Sequence, residues 1–198
     1  DRGGSGGARE AAMRLVRRLA EEDPANQAAL APAIKPLVKH TGGNPAKGNK
    51  VPREAAMALA ALARDHFPNQ TAIGGAGAVA ALVKLLKLEG GEYELERQAA
   101  AGTVVALIAK HEDNLQAVVS QGGVAPFARW ALPVVYAATQ IPTVGNGGQA
   151  LQALYDVLNR SGNEPTPPPG GTAETTATAT LKNLTSAFPP SGVEGIGL

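Results

Sequence analysis

The stretch Arg9-Glu10-Ala11-Ala12-Met13 is the strongest indication of the fold of this chain, because the same five residues return later in the sequence. They recur unchanged as Arg53-Glu54-Ala55-Ala56-Met57, and more loosely as Arg97-Gln98-Ala99-Ala100. The copies start at positions 9, 53 and 97, so consecutive copies are 44 residues apart. Each copy is rich in alanine, the strongest helix former, so each predicts a helix at the same point of a repeated unit.

A second recurring segment has nearly the same period. Asn26-Gln27, Asn69-Gln70 and Asn114-Leu115-Gln116 each open a short apolar run, at spacings of 43 and 45 residues. A period of roughly 40–47 residues in helical sequence is typical of stacked helical repeats. Such units bury their core only against their neighbours, and the stacked surface commonly binds other macromolecules.

Composition supports an all-α fold and excludes several kinds of site. Of the 198 residues 44% are hydrophobic but only 4% are aromatic, so alanine supplies much of the apolar content. There is no cysteine, which excludes disulfides, thiolate metal sites and cysteine nucleophiles. No apolar run approaches the roughly 18–20 residues that span a bilayer, so we expect no transmembrane segment.

Hydrophobic spacing places helices between turns rich in glycine and proline. In the first helix, residues 8–21, it puts Ala12, Leu15, Val16 and Leu19 on the apolar face. The other predicted helices cover residues 26–40 (as two short helices), 53–66, 69–74, 78–88, 93–111, 114–121, a segment from Val124, and 149–160.

The domain prediction follows these helices. Residues 1–160 form the repeat array, and residues 161–171 form a loop rich in proline and glycine. Residues 172–188 are expected to be a C-terminal capping helix or partial repeat, and residues 189–198 a flexible tail.

The histidines are interpreted as structural. His66 and His111 each precede a repeated Asn by three residues, where a histidine can favour the negative end of a helix. The Asn that follows suits the N-cap of the next helix. The two histidines lie a whole repeat apart, so a shared metal site is not expected.

Neither a nucleophile motif nor a phosphate-binding motif is present in the sequence. The prediction is therefore a protein that is not an enzyme and that binds no cofactor or metal.

A family resemblance is carried by residues 69–109. The run Asn69-Gln70-x-x-Ile73-x-x-x-Gly77-Ala78-Val79-x-x-Leu82-Val83-x-Leu85-Leu86 resembles the opening of an armadillo repeat. Arg97-Gln98-Ala99-Ala100, followed by Leu107-Ile108-Ala109, resembles the third helix of that repeat. The resemblance implies a right-handed α-solenoid of about three to four repeats, whose third helices line a concave groove. HEAT-like helix pairs are the second choice.

The resemblance also implies where a partner would bind. Many armadillo proteins use an Asn near the end of the third helix to hold a peptide backbone, and only Asn183 matches that position here. The counterparts are about Arg18, Ala61, Ala106 and Val157, so an alanine-lined groove suits a helix or a folded partner. The expected contacts are Arg14, Arg18, Arg64 and Asn183 in the groove, with Trp130 as an aromatic interface anchor.

The expected function is a non-catalytic scaffold, or a structural subunit, that binds another protein within a multi-subunit complex. The alternative uses charge: residues 1–53 carry a net charge of +5 and residues 54–198 a net charge of −4. The basic third could bind an acidic partner or nucleic acid. Nucleic acid is less favoured, because residues 1–53 contain no Phe, Tyr or Trp for base stacking.

The expected location is intracellular, in the cytoplasm. The sequence begins at Asp1 rather than Met, so we expect that a segment precedes it, and an organelle reached by a cleaved targeting peptide stays open.

Overall fold

The computed structural model describes residues 4–46 and 48–131. Within these ranges the chain forms helices and turns and contains no β-strand, which confirms the all-α prediction for this part. The predicted helix at 149–160, the loop at 161–171, the capping helix at 172–188 and the tail at 189–198 lie outside the described residues.

Eight helices have defined bounds, and residues 124–131 are also helical. Two short 3-10 turns, Ala31–Ala33 and Gly91–Tyr93, lead into the third and seventh helices. The helices are α1 Gly4–Glu22, α2 Pro24–Ala29, α3 Ile34–Thr41, α4 Val51–Ala63, α5 Phe67–Gly75, α6 Ala78–Leu86, α7 Glu94–Ile108 and α8 Glu112–Ser120.

Local sequence explains where several helices begin. Asp23 precedes α2, and its carboxylate accepts a hydrogen bond from the amide of Ala25 at 2.8 Å. Pro24, Pro52 and Pro68 occupy the first or second position of α2, α4 and α5, where the missing amide hydrogen costs no helical bond. Gly77 precedes α6 with φ of 83°, a left-handed conformation that glycine adopts without strain.

The helices of residues 1–123 pack as repeated triplets. α2, α3 and α4 form one triplet, α5, α6 and α7 form the next, and α8 continues the series. α4 packs between α1 and α7, while α3 and α6 pack against each other behind them. Neighbouring triplets therefore share one core, as the period of the sequence predicts.

The core of this stack combines leucines with alanines. Full burial of a leucine contributes roughly 1.5–3 kcal/mol, and a buried alanine lets two helices approach closely. The fully buried leucines include Leu59, Leu62, Leu82 and Leu107, and the buried alanines of α4 are Ala55, Ala56, Ala58, Ala61 and Ala63.

The predicted apolar face of α1 is correct only in part. Val16 and Leu19 are half-buried, but Leu15 is 58% exposed and Ala12 is exposed. Met13 and Ala20 are instead buried, at 5% and 4% exposure. The helix carries apolar residues on two faces, and spacing alone does not show which one a neighbour covers. α4 covers the face of Met13 and Ala20, so Leu15 points away from the core.

Residues 124–131 belong to a second compact unit that starts at Val124. In this unit Phe127 is fully buried, and its ring lies 6.0 Å from the Trp130 ring at an angle of 36°. No helix of the described residues is both long enough and apolar enough to cross a membrane.

Candidate protein-binding groove

α1, α4 and α7 lie side by side and leave an open groove along their shared surface. Its pocket has a volume of about 470 Å³. These three helices contain the three copies of the repeated five-residue segment. The lining residues are Arg17 and Glu21 of α1, Arg53, Glu54, Met57 and Ala60 of α4, Arg64 just after α4, and Leu95, Gln98, Ala99 and Gly102 of α7.

Small and apolar residues form part of the groove surface. Ala60, Ala99 and Gly102 leave the helix backbones accessible to a closely packed partner. Leu95 is 55% exposed and lies beside these small residues. A contiguous apolar surface rimmed by polar residues is typical of a protein interaction site.

Arg17 lines the groove, and its guanidinium has no strong hydrogen-bond acceptor in the described part of the chain. Its Nη1 donates to the sulfur of Met57 at 3.4 Å, and a thioether is only a weak acceptor. Its Nε is buried and has no hydrogen-bond partner. Among the described residues no carboxylate pairs with Arg17, although Glu21 and Glu54 line the same groove.

Glu54 brings an unpaired acceptor into the same groove. Its side chain is 7% exposed, and its Oε1 lies 3.4 Å from Nη2 of Arg53. Its Oε2 is buried without a partner. A buried polar atom without a hydrogen bond destabilises the free protein, and native structures contain few of them. Arg17 Nε and Glu54 Oε2 are the two such side-chain atoms found in the described residues.

The predicted contacts on α1 lie outside this groove. Arg14 is 49% exposed and forms a 4.0 Å surface ion pair with Glu10. Arg18 is exposed, and it does not line the pocket. Arg64 does line the groove, and it is exposed at the C-terminal end of α4.

The two remaining predicted contacts are placed differently. Trp130 is half-buried in the helix of residues 124–131, where its ring packs against Phe127. Asn183 lies outside the described residues, so the structure does not place it.

Sequence reasoning missed Arg17, although a signal for it exists. Arg17 follows Met13 by four residues and precedes Ala20 by three, so it shares the face of these two buried residues. Arg14 and Arg18 lie on neighbouring faces. The missing information was that this face, rather than that of Leu15, turns toward α4.

The repeated Asn residues connect neighbouring helices instead of forming the predicted N-caps. Nδ2 of Asn69 donates to the carbonyls of Leu62 and Gln27, both at 2.9 Å. Asn114 stands one repeat later, and its Nδ2 donates to two corresponding carbonyls at 3.0 Å. Asn69 therefore connects α5 to the end of α4 and to α2, and Asn114 connects α8 to the end of α7 and to α5.

The repeated Gln residues make the reciprocal connection. Nε2 of Gln27 donates to the carbonyls of Ala61 and Arg64, at 2.8 and 3.0 Å. Nε2 of Gln70 donates to the carbonyl of Ala106 at 2.9 Å. These bonds satisfy carbonyls at the ends of α4 and α7, which lack partners within their own helices.

The N-caps of α5 and α8 are histidines. Nδ1 of His66 accepts a hydrogen bond from the amide of Asn69 at 3.2 Å, and His111 does the same for Asn114 at 3.4 Å. The histidines therefore have a structural role at the start of the following helix, while their predicted effect on the preceding helix end stays a prediction. His111 also contacts Thr71 Oγ1 at 2.9 Å and stacks on the Phe67 ring at 4.7 Å.

Within residues 4–46 and 48–131, no three His, Cys, Asp or Glu side chains converge to hold a metal ion. The buried polar side chains of the repeats instead bond to main-chain carbonyls, and thereby hold helices together.

Comparison with known proteins identifies a fold but no family. No family model matches the chain, and no curated protein does so. One solved structure, described as that of an engineered protein, matches 89% of this chain at 22% identity with a TM-score of 0.58. Another engineered protein matches 89% at 20% identity with a TM-score of 0.56. The chain covers 44% of the first protein and 90% of the second, and at these identities the likeness concerns the fold alone.

Proposed function

We propose that this chain is a non-catalytic interaction scaffold that holds a partner protein in the groove of α1, α4 and α7. The observation that carries this proposal is a 470 Å³ concave pocket that three helices line, with exposed Leu95 at its surface. A bound partner would cover this apolar side chain. The same arrangement suits a permanent subunit of a larger assembly.

The repeat architecture supports this role. In the armadillo-like interpretation, α1, α4 and α7 are the third helices of successive units. A right-handed solenoid of about three to four such units presents these helices as one surface. Binding surfaces of stacked repeats extend across several units. The groove fits that expectation, because each of these helices contributes at least two lining residues.

The distribution of polar groups supports a structural rather than a catalytic use of the repeats. The repeated Asn and Gln amides bond to main-chain carbonyls, and two of the histidines cap helices through the same ring nitrogen. These side chains therefore serve the packing of helices, and the groove offers shape, apolar contact and charge.

A groove-blocking variant tests the proposal. Gly102 is exposed in α7, and a Cβ added there meets no atom within 4 Å. Gly102→Trp therefore fills the groove while α7 stays helical. Gly75→Trp is the matched control, since Gly75 is also helical, exposed and free of close contacts but does not line the groove.

The measurement is quantitative co-purification from source cells with the wild-type chain and both variants. The proposal expects one or more partners to be lost with Gly102→Trp and retained with Gly75→Trp. Equal recovery with all three chains would show that the groove is not the binding surface.

A further inference from the structure

The guanidinium of Arg17 has no carboxylate partner among the described residues. It is half-buried at the groove, its Nε is fully buried, and its one hydrogen bond goes to a thioether sulfur. A guanidinium offers five N–H donors in a fork that fits a carboxylate through two parallel hydrogen bonds. The weak acceptor that Arg17 now has leaves that geometry unused.

The charges around the groove favour an anion over a cation. Three arginines line it, Arg17, Arg53 and Arg64, against the two carboxylates Glu21 and Glu54. Arg53 is already paired with Glu54 at 3.4 Å, while the described residues provide no ion pair for Arg17 or Arg64. The net charge of +5 on residues 1–53 adds a longer-range attraction for acidic groups.

The two glutamates of the groove are the internal competitors for Arg17. Glu21 lies four residues after Arg17 on the same helix, and this order of charges is the weaker one for a helical ion pair. Glu54 is held near Arg53 and does not come within the 4.0 Å that defines an ion pair with Arg17. Neither carboxylate therefore forms an ion pair with Arg17 in this structure.

Resting on the proposed function, we propose that the groove recognises an acidic segment of the partner protein, through a partner Asp or Glu that pairs with Arg17. The carboxylate accepts hydrogen bonds from Nη1 and Nη2 at the end of the fork, because Nε is buried within the protein. An apolar residue next to that Asp or Glu covers Leu95, which is 55% exposed. Arg64 lies on the same surface and can pair with a second acidic residue of the segment.

Selection from a phage library of random dodecapeptides, displayed against the full chain, is the first part of the test. Fluorescence anisotropy then measures the affinity of a selected, labelled peptide for each variant. The expected selection is enriched in Asp or Glu beside apolar residues. Enrichment of Lys and Arg would overturn the proposal and identify Glu54 as the recognition residue, and a failure to select any peptide would overturn it as well.

Four substitutions distinguish recognition by the guanidinium fork of Arg17 from general electrostatic attraction. Arg17→Gln should weaken the peptide about tenfold or more, the change expected from loss of a charge-assisted pair. Arg17→Lys should weaken it nearly as much, because lysine keeps the charge but lacks the fork. Arg9→Gln removes the same charge from an exposed site on α1 outside the groove, and should change the affinity less than about twofold. Glu54→Gln removes an internal competitor and should leave binding unchanged or tighter.

The outcomes also distinguish this proposal from the proposed function. If Gly102→Trp abolishes peptide binding but Arg17→Gln does not, the groove binds a partner and the acidic-segment proposal is wrong. If neither substitution changes binding, the groove itself is not the site. A labelled single-stranded oligothymidylate is the final probe: Arg17-dependent binding of this probe in place of peptide would overturn the proposal in favour of nucleic acid.

Discussion

Substitution of the repeated Asn residues should produce a graded loss of stability. Asn114→Ala removes two buried hydrogen bonds of 3.0 Å, to the carbonyls of Leu107 and Gln70. Each is worth about 1 kcal/mol net, and a buried carbonyl left unpaired costs roughly 1–3 kcal/mol more. The Leu107 carbonyl is such a group, because the amide of His111 bonds to Ile108 instead. The free energy of unfolding should therefore fall by about 3 kcal/mol.

The chain offers an internal control at an earlier repeat. Asn69→Ala removes two equivalent bonds of 2.9 Å and should cost a similar amount. Nδ2 of Asn26 makes one bond, to the carbonyl of Leu19, and this residue is only half-buried. Asn26→Ala should therefore cost about 1 kcal/mol.

Urea denaturation of the full chain, followed by circular dichroism at helical wavelengths, measures these losses. Intrinsic tryptophan fluorescence of Trp130 gives a second probe, and coincident transitions are required before the free energies are compared. Equal losses at all three Asn positions, or a loss below about 0.5 kcal/mol for Asn114→Ala, would refute the inter-repeat role of these amides.

Four further substitutions test other features of the structure. Gly102→Ala should raise the free energy of unfolding by roughly 0.5–1 kcal/mol, because alanine favours the helix and its Cβ meets open space. Gly74→Ala should instead lower it, since the new Cβ would run into the Asn114 amide, and combining it with Asn114→Ala should remove that penalty in thermal melts. Thr103→Val removes a hydroxyl whose Oγ1 lies 2.9 Å from the Ala56 carbonyl of α4 and 2.7 Å from the Ala99 carbonyl of its own helix. The one hydrogen bond that is lost should cost about 1 kcal/mol by urea denaturation. Leu95→Ser should change stability by less than about 0.5 kcal/mol but weaken partner binding in the anisotropy assay, because this side chain is 55% exposed.

The sequence predicted the helices of the described region because their signals are local. Alanine-rich segments, prolines at helix starts and glycine at Gly77 act within a few residues, and the helices agree with the predictions to within a few positions. The 44-residue period also predicted that repeated units would stack, because one unit can bury its apolar face only against the next. That α1, α4 and α7 would share one surface was implied only by the armadillo resemblance.

The residues of the groove were harder to predict because they depend on how each helix is rotated. The apolar spacing of α1 fits two faces, and only packing against α4 shows that Met13 is inside while Leu15 is outside. That rotation brings Arg17 to the groove and leaves Arg14 and Arg18 on the rest of the surface.

The repeated Asn was misread for a related reason. Asn commonly caps helices, and a local interpretation favours that role. Its actual partners lie up to 44 residues away, at the carbonyl of Gln70 for Asn114, and appear only when two triplets stack. His111, three residues earlier, supplies the cap instead.

Photo-crosslinking in source cells tests the central claim, that the groove of α1, α4 and α7 is a protein-binding surface. Benzoylphenylalanine replaces Gln98, an exposed residue that lines the groove, or Gly75, an exposed helical position away from it. The expected result is that irradiation links a defined partner protein to position 98 and not to position 75. Crosslinks of equal yield at both positions, or crosslinks from position 75 alone, would contradict the claim.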